Sequence, residues 1–212
     1  TNIHAGGPAT LTPITGTINI TAGGTGNPAF LMRYIKNQTV GGTISVQNSG
    51  LVTITNDTLI VTAFNVNGYT GASTDDFNQN SITGTVNISD AASNTGIHFF
   101  RGNVVTGNTT ITCNSIADFR EGQTFPDTFN GDAVFNIGGS GIFTTAYDKV
   151  SAFNGNVTVN RTVTGTTNIF DNGATGVAGN FSYTNNAGGA SSIHSGGANV
   201  LIPITGTVNI TA

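Results

Sequence analysis

The side chains best suited to acid–base or metal chemistry in this sequence are its three histidines, His4, His98 and His194. An imidazole changes its charge near neutral pH and is a common metal ligand. None of the three has an Asp/Ser pair nearby in the sequence, and His4 and His194 lie in Gly-rich segments. We therefore expect surface or capping histidines rather than catalytic bases or metal ligands.

The acidic doublet Asp75-Asp76 is a second candidate for metal chemistry. Carboxylate and amide oxygens are ligands for Ca²⁺, so the doublet could hold this ion together with Asn78 or Asn80. The doublet lies in the irregular polar stretch 68–80, where a solvated loop is the simpler expectation. The single Cys113 has no second cysteine to pair with, and we expect a small buried apolar side chain.

Six charged residues fall near equivalent places along the chain and form the best candidate for an active site: Arg101, Asp118, Arg120, Asp148, Lys149 and Asp171. Enzymes that cleave polysaccharides need clustered acids on one face. Charges of opposite sign at neighbouring positions are more simply an exposed charge ladder that sets strand register. We therefore predict no catalytic residue, no metal ligand and no cofactor, and we expect that the protein is not an enzyme.

The composition excludes several other classes of function. Only 8% of the residues are charged, against roughly 25% in an average globular domain, and the net charge is −4. The sequence has no basic patch, so we expect no nucleic-acid partner. It has no apolar run long enough for membrane insertion. Abundant Gly, Asn and Thr favour strands joined by tight turns over helices.

A long repeat joins the two ends of the chain. Residues 3–7 (IHAGG) return at 193–197 as IHSGG, and residues 13–22 (PITGTINITA) return at 203–212 as PITGTVNITA. Both blocks return at the same offset, from Ile3 to Ile193 and from Pro13 to Pro203. We interpret the chain as a single segment, 1–212, made of one 190-residue unit (1–190) and the start of the next (191–212). Because the chain begins at Thr1 rather than at Met, we expect a piece of a longer tandem array.

A shorter repeat sets the fold. The motif is apolar-x-Gly-x-apolar-x-apolar, and it recurs around eight glycines: Gly16, Gly42, Gly84, Gly107, Gly131, Gly155, Gly179 and Gly206. Their positions advance in steps of 26, 42, 23, 24, 24, 24 and 27. The step of 42 is expected to contain two coils, one of them in 53–64, where no register is evident. We expect Gly, Asn and Asp at the corners, these glycines among them, to supply the positive φ angles that sharp bends require.

The alternation of apolar and polar residues is typical of strands with one buried face, which stacking of equivalent strands can bury. We predict an all-β fold, a right-handed parallel β-helix (a solenoid) with about 24 residues per coil and about eight coils per unit. Coils about 4.8 Å apart would give each unit a rise of roughly 38 Å. An aromatic ladder of Phe99 or Phe100 with Phe119, Phe143 and Phe170 is expected inside. The predicted core ladder is Ile18, Ile20, Ile44, Val46, Val86, Ile88, Ile111, Phe129, Phe135, Phe153, Val157, Val159, Phe181, Val208 and Ile210.

Two segments, TFNGDAV at 128–134 and AFNGNVTVN at 152–160, carry a family resemblance. They resemble repeats of giant surface proteins of Bacteroidota, including the SprB-like gliding-motility adhesins that the type IX secretion system exports. The resemblance covers most of the chain and implies a long secreted fibre at the cell surface, used for attachment or motility. It transfers no catalytic residue. The segment Asp57-Thr58-Leu59 resembles the O-glycosylation motif of the same phylum, which would place a glycan on Thr58.

The expected partners are neighbouring repeats of the same chain, stacked end to end, and surface glycans are a further partner class that the sequence leaves open. Two other functions also remain open. One is a carbohydrate-active or glycan-binding β-helix, similar to a polysaccharide lyase, that uses the charged residues above. The other is an ice-binding solenoid, suggested by the pairs Thr15/Thr17, Thr162/Thr164 and Thr205/Thr207, although these pairs do not recur at one phase of the coil.

Overall fold

The computed structural model of the protein describes residues 2–4, 14–21, 29–35, 38–47, 50–69, 75–172, 174–193 and 203–212. These residues form strands and no helix, and so none of them belongs to an apolar helix that could cross a bilayer. The strands are β1 (Asn2–His4), β2 (Ile18–Thr21), β3 (Ala29–Arg33), β4 (Gln38–Thr39), β5 (Thr43–Gln47), β6 (Leu51–Thr55), β7 (Thr58–Ile60), β8 (Ala63–Tyr69), β9 (Asp75–Asn78), β10 (Ser81–Ile82), β11 (Thr85–Asp90), β12 (His98–Arg101), β13 (Val104–Val105), β14 (Thr109–Cys113), β15 (Phe119–Glu121), β16 (Thr128–Phe129), β17 (Ala133–Ile137), β18 (Phe143–Thr144), β19 (Ser151–Phe153), β20 (Val157–Arg161), β21 (Thr167–Ile169), β22 (Ala174–Val177), β23 (Phe181–Asn185), β24 (Ser191–Ile193) and β25 (Val208–Thr211).

The strands form three parallel sheets that run along the length of a solenoid. Sheet 1 has nine strands (β1-β3-β6-β9-β12-β15-β18-β21-β24), sheet 2 has seven (β4-β7-β10-β13-β16-β19-β22) and sheet 3 has nine (β2-β5-β8-β11-β14-β17-β20-β23-β25). The chain passes from sheet 1 to sheet 2 to sheet 3 and then begins the next coil. Seven coils therefore have a strand in every sheet, and single bridges, Ile14 to Val40 and Val177 to Ile204, add a rung at each end of sheet 2. The predicted parallel β-helix is confirmed.

The stacking register also confirms the predicted coil length. Sheet 3 pairs Ile111 with Phe135 and Phe135 with Val159, so each partner lies one predicted coil length further along the chain. In this nine-stranded sheet eight steps separate β2 from β25, and these are the two strands that the long sequence repeat relates. One unit of the sequence repeat therefore corresponds to eight coils.

The coil that the glycine motif does not reveal consists of β6, β7 and β8. Strand β8 lies between β5 and β11, with Phe64 in register with Ile44 on one side and Val86 on the other. Thr62 lies where the other coils have their turn glycine. A Cβ atom on Gly84, the turn glycine of the next coil, would lie 2.6 Å from the Thr62 carbonyl oxygen. The motif misses this coil because its turn contains no glycine.

Most of the predicted core ladder is buried. The buried members are Ile44, Val46, Val86, Ile88, Ile111, Phe129, Phe135, Phe153, Val157, Val159 and Phe181. Ile18 and Ile20, on the first rung of sheet 3, are half-buried. Val208 and Ile210, on the last rung, are 48% and 56% exposed. The prediction of burial is wrong for these two residues in this chain, because β25 has a described neighbour on one side only.

Phenylalanine rings fill the interior in two connected stacks. The first stack runs through Phe77, Phe100, Phe129, Phe153, Phe170 and Phe181, with successive ring centroids 5.1–6.3 Å apart. The second is Phe119 on Phe143 at 5.2 Å, and Phe135 contacts both stacks. Phe100 points inward and Phe99 is half-buried, and Phe170 belongs to the first stack rather than lying on Phe143. Burying each ring stabilises the fold by about 1.5–3 kcal/mol.

Close stacking, and not the φ angle, requires glycine at most of the eight turns; the exception is Gly16 on the first rung, where a Cβ atom would meet nothing within 4 Å. All eight lie among the described residues and none of them has a positive φ, so the expectation of positive φ at these positions is wrong. A Cβ atom on Gly131 would lie 2.6 Å from the carbonyl oxygen of Gly107, and one on Gly155 would lie 2.5 Å from that of Gly131. Glycine is needed here because the backbones of successive turns approach too closely for a side chain.

Positive φ recurs instead at the corner between sheet 1 and sheet 2. Each coil has such a residue there: Tyr34, Asn56, Gln79, Gly102, Thr124, Ala146 and Phe170. Six of these seven are not glycine. A left-handed backbone at a residue with a side chain is strained and persists only where the surroundings hold it. Hydrogen bonds of buried polar side chains that follow these residues hold the corner in place.

Candidate functional site

His98 is buried, at 1% exposure, and its Nε2 atom lies 3.2 Å from Asp90 Oδ2 and 3.5 Å from Ser115 Oγ. The expectation of a surface or capping histidine is therefore wrong for His98. Stacking of the coils brings it beside an Asp/Ser pair that is not adjacent to it in the sequence. The side chain of His4 and the whole of His194 lie outside the described residues.

The cluster of Asp90, His98 and Ser115 does not have the geometry of a nucleophilic triad. In a triad the carboxylate holds one ring nitrogen while the other nitrogen activates the hydroxyl, whereas here Asp90 and Ser115 both lie at Nε2. Asp90 Oδ1 accepts a hydrogen bond from the backbone N–H of Asn114, and Ser115 Oγ accepts one from Ala117 at 3.2 Å. The cluster therefore ties the turn 114–118 to the preceding coil.

The Asp75-Asp76 doublet is placed at the start of β9. Both carboxylate oxygens of Asp76 accept hydrogen bonds from Arg101, at 3.0 and 2.7 Å. Asn80 is buried inside the coil and donates to the Ile54 carbonyl at 2.9 Å, whereas the side chain of Asp75 is not described. Among the described residues, no group of three His, Cys, Asp or Glu side chains is arranged to hold a metal ion. A Ca²⁺ ion at Asp76 would have to displace Arg101.

The six charged residues do not occupy equivalent places in the coil. Asp118 precedes β15, at the start of a sheet 1 strand, whereas Asp148 and Asp171 follow sheet 1 strands. Arg120 lies 3.5 Å from Asp118 and over the ring of Tyr147 at 4.8 Å. Arg101 bridges to Asp76 on the preceding coil and lies over the Phe99 ring at 5.0 Å, and Asp148 and Lys149 are exposed. The expectation of near-equivalent positions is wrong because Asp118 lies at the opposite end of the strands from Asp148 and Asp171.

The Thr pairs also lie on different parts of the coil. Thr15/Thr17 and Thr205/Thr207 precede strands of sheet 3, whereas Thr162/Thr164 follow β20. All six residues are exposed. The central column of the outer face of sheet 3 is instead Asn19, Ser45, Asn65, Asn87, Thr110, Val134, Thr158, Ser182 and Asn209. This column mixes side chains and is not a regular Thr array.

A buried polar ladder follows the positive-φ corner. Its members occur once in each of five successive coils: Asp57, Asn80, Asn103, Asp127 and Ser151. Each side chain accepts a hydrogen bond from the backbone N–H of the previous member, for example Asn80 N–H to Asn103 Oδ1 at 3.2 Å and Asn103 N–H to Asp127 Oδ1 at 2.6 Å. Asn103 Nδ2 also donates to the Phe77 carbonyl at 2.8 Å. The ladder satisfies buried backbone groups that the turn leaves without sheet partners.

Glu121 and Asp127 form a pair of buried carboxyl groups beside this ladder. Asp127 Oδ2 accepts the Gly122 N–H at 3.0 Å, and Glu121 accepts the Ala146 N–H at 2.6 Å and the Ser151 hydroxyl. The two groups are linked through Ser151, whose hydroxyl donates to Glu121 and accepts the Asp127 backbone N–H, and through the N–H of Gly122, which follows Glu121 and donates to Asp127. Burial raises the pKa of both groups, and the adjacent charge of Glu121 raises the pKa of Asp127 further.

A second polar ladder stabilises the turn between sheet 2 and sheet 3. Asn108, Asp132, Asn156 and Asn180 follow one another at one-coil intervals, and each side-chain oxygen accepts the backbone N–H of the next member at 2.8–3.0 Å. Asn180 Oδ1 in turn accepts the N–H of Thr207 at 2.8 Å, in the second repeat unit. This ladder therefore continues from one unit into the next.

Arg161 is a third buried polar element. Its five N–H donors bind the carbonyls of Val163, Thr166, Gly139 and Gly141 and the hydroxyl of Thr167, at 2.8–3.3 Å. It is fully buried. The guanidinium joins the turns of two successive coils, and all five of its N–H groups have an acceptor.

The cluster of Asp90, His98 and Ser115, the two polar ladders, the pair of Glu121 and Asp127, and Arg161 thus all hold turns. Comparisons with protein-family models, with curated proteins and with solved structures return no match to this chain.

Proposed function

We propose that this chain is one repeat, with the start of the next, of a long structural or adhesive fibre at the cell surface, and that it performs no catalysis. The observation that carries the proposal is the packing of β25 on β23. Strand β25 repeats the sequence of β2 one unit further along the chain, so the contact between β23 and β25 is the junction between two units.

The junction has the same kind of register and hydrogen bonds as the interior of the unit. Phe181 pairs with Val208 and Tyr183 with Ile210, just as Val157 and Val159 pair with Phe181 and Tyr183 one coil earlier. The Thr207 N–H donates to Asn180 Oδ1 at 2.8 Å, which continues the polar ladder. Since β2 has almost the same sequence as β25, the β23 of a preceding unit would fit on β2 in this register.

Continuous stacking gives a fibre its length and stiffness. Successive coils bond to each other through three sheets, and the two polar ladders and the stacked rings add contacts along part of the unit. An array of such coils leaves sheet edges only at its ends. Secretion, location at the cell surface and a role in attachment or gliding are supported by the resemblance of segments 128–134 and 152–160 to adhesin repeats.

Proteins of one, two and three 190-residue units test the architecture. Small-angle scattering and electron microscopy should show a rod that lengthens by about 38 Å per added unit. Tyr183→Asp at the junction of a two-unit protein should bend or separate the rod, because this side chain is buried and faces Ile210, whereas Ser182→Asp on the outer face should leave it straight. Units that move independently of one another would contradict the proposal.

Immunogold labelling of the producing cells with an antibody against this chain tests the location. We expect gold particles along filaments outside the cell, with a spacing that follows the repeat. Labelling confined to the cell interior would refute the proposed surface role.

A further inference from the structure

We propose that Glu121 and Asp127 form a proton-dependent lock that holds the corner between sheet 1 and sheet 2 closed in acid and weakens it as the pH rises. Glu121 ends β15, and Asp127 precedes β16 in the same coil, so the pair spans this corner. Both side chains are buried, at 0% and 1% exposure. This inference is independent of the proposed fibre function, because it concerns the stability of a single coil.

The remaining contacts of the two carboxyls leave room for one proton between them. Asp127 Oδ1 accepts the Asn103 backbone N–H at 2.6 Å and the Asn103 amide at 3.0 Å, and Oδ2 accepts the Gly122 N–H. Glu121 accepts the Ala146 N–H and the Ser151 hydroxyl. With one proton, the pair carries a single negative charge that these donors stabilise. Without that proton, two buried like charges lie close together, on either side of Ser151, and repel each other.

The charged side chains of neighbouring segments do not neutralise the pair. They are Arg101 on β12, Arg120 on β15, Asp148 and Lys149 after β18, and Asp57 three rungs away in the ladder. Arg101 is bound to Asp76 and Arg120 lies over Tyr147, both partly exposed, and Asp148 and Lys149 are exposed. In the described part of the chain, burial, the charge of the partner carboxyl and hydrogen bonds from neutral groups set the protonation of the pair.

The direction of the pH effect follows from proton binding. The pKa of both groups is higher in the folded protein than in the unfolded chain, so above the ordinary carboxyl pKa the folded state binds more protons. Stability is therefore greatest below about pH 4 with respect to this pair, and it falls as the pH rises through the raised folded pKa. One linked proton changes the unfolding equilibrium constant by at most about tenfold per pH unit.

Denaturant unfolding between about pH 4 and pH 8 tests the lock. The wild-type unfolding constant should rise with pH by up to about tenfold per unit over part of this range. The double variant Glu121→Gln/Asp127→Asn should lose this rise, because it leaves no titratable carboxyl group in the pair. Asp148→Asn, an exposed carboxylate in the next coil, should behave as wild type. A wild-type protein without the rise, or a Glu121→Gln/Asp127→Asn variant that keeps it, overturns the proposal.

A second measurement uses only the wild-type protein, so it does not depend on whether a variant folds. Carboxyl ¹³C NMR of the wild-type protein should show that the Glu121–Asp127 pair retains a proton well above the usual carboxyl range. If the signals of both groups complete their titration near pH 4, the pair shares no proton and the proposal fails.

Discussion

A Cβ atom added to Gly131 would lie 2.6 Å from the carbonyl oxygen of Gly107, one coil away. The same close approach recurs at Gly155 on Gly131, so the turn between sheet 2 and sheet 3 is a column of stacked backbones. The spacing of these turns is therefore controlled by the lack of side chains at the glycines.

Gly131→Ala should destabilise the protein by about 1–3 kcal/mol, because the new methyl group forces the turn away from the preceding coil. Urea unfolding measures this change. Gly16→Ala is the matched control, since a Cβ atom at Gly16 meets nothing within 4 Å; it should be neutral or stabilise by about 0.4–1 kcal/mol through the unfolded state. Equal destabilisation by the two variants would contradict the stacking argument.

Asn103→Ala should destabilise through lost hydrogen bonds in the buried ladder. It leaves the Phe77 carbonyl and the Asn80 N–H without their side-chain partner, and each unsatisfied buried group costs about 1–3 kcal/mol. Asn154→Ala is the control, because Asn154 Nδ2 bonds to Asn130 on the exposed surface. Thermal and urea unfolding should show a large effect for Asn103 and a change within about 0.5 kcal/mol for Asn154. Similar effects at both positions would count against the role of the ladder.

Arg161→Met should destabilise because four carbonyls, one buried and three partly buried, lose a donor. At about 1–3 kcal/mol for each unsatisfied group, we expect a loss of several kcal/mol or failure to fold at about 37 °C. Arg161→Lys should not rescue the protein, because an ammonium cannot reproduce the guanidinium fork. Arg120→Met, at a partly exposed cation, should cost about 1 kcal/mol or less. A stable Arg161→Lys variant would disprove the requirement for this geometry.

The fold was predictable because all coils but one repeat a pattern of apolar residues around a glycine, at nearly constant intervals. The division of that pattern between two sheets was harder to foresee. Phe129 lies in β16 of sheet 2 and Phe135 in β17 of sheet 3, with the chain bending at Gly131 between them. A glycine in the sequence indicates a turn, but it does not reveal whether the turn needs glycine for its φ angle or for close stacking.

The buried polar groups were not predicted from the sequence. The ladder through Asn80, Asn103 and Asp127 does recur once in each coil, but Asn and Asp are so frequent in this chain that the period is hidden. The contact of His98 with Asp90 depends on how the turn 91–97 folds, which no local pattern specifies. Arg161 likewise appears in sequence as the end of a strand, and only the structure reveals that it holds two turns.

The distance between Asn19 and Asn209 tests the central claim, that equivalent side chains stack rung on rung through the whole unit. These two exposed residues begin and end the central column of sheet 3, eight strand-to-strand steps apart. At about 4.8 Å per step, their Cα atoms should be about 38 Å apart.

Spin labels at Asn19→Cys and Asn209→Cys, in a chain whose buried Cys113 is replaced by Ala, allow this distance to be measured by pulsed electron paramagnetic resonance. We predict one narrow distribution centred near about 38 Å, broadened only by the label side chains. A broad distribution, or one centred well below this distance, would contradict continuous stacking of the coils.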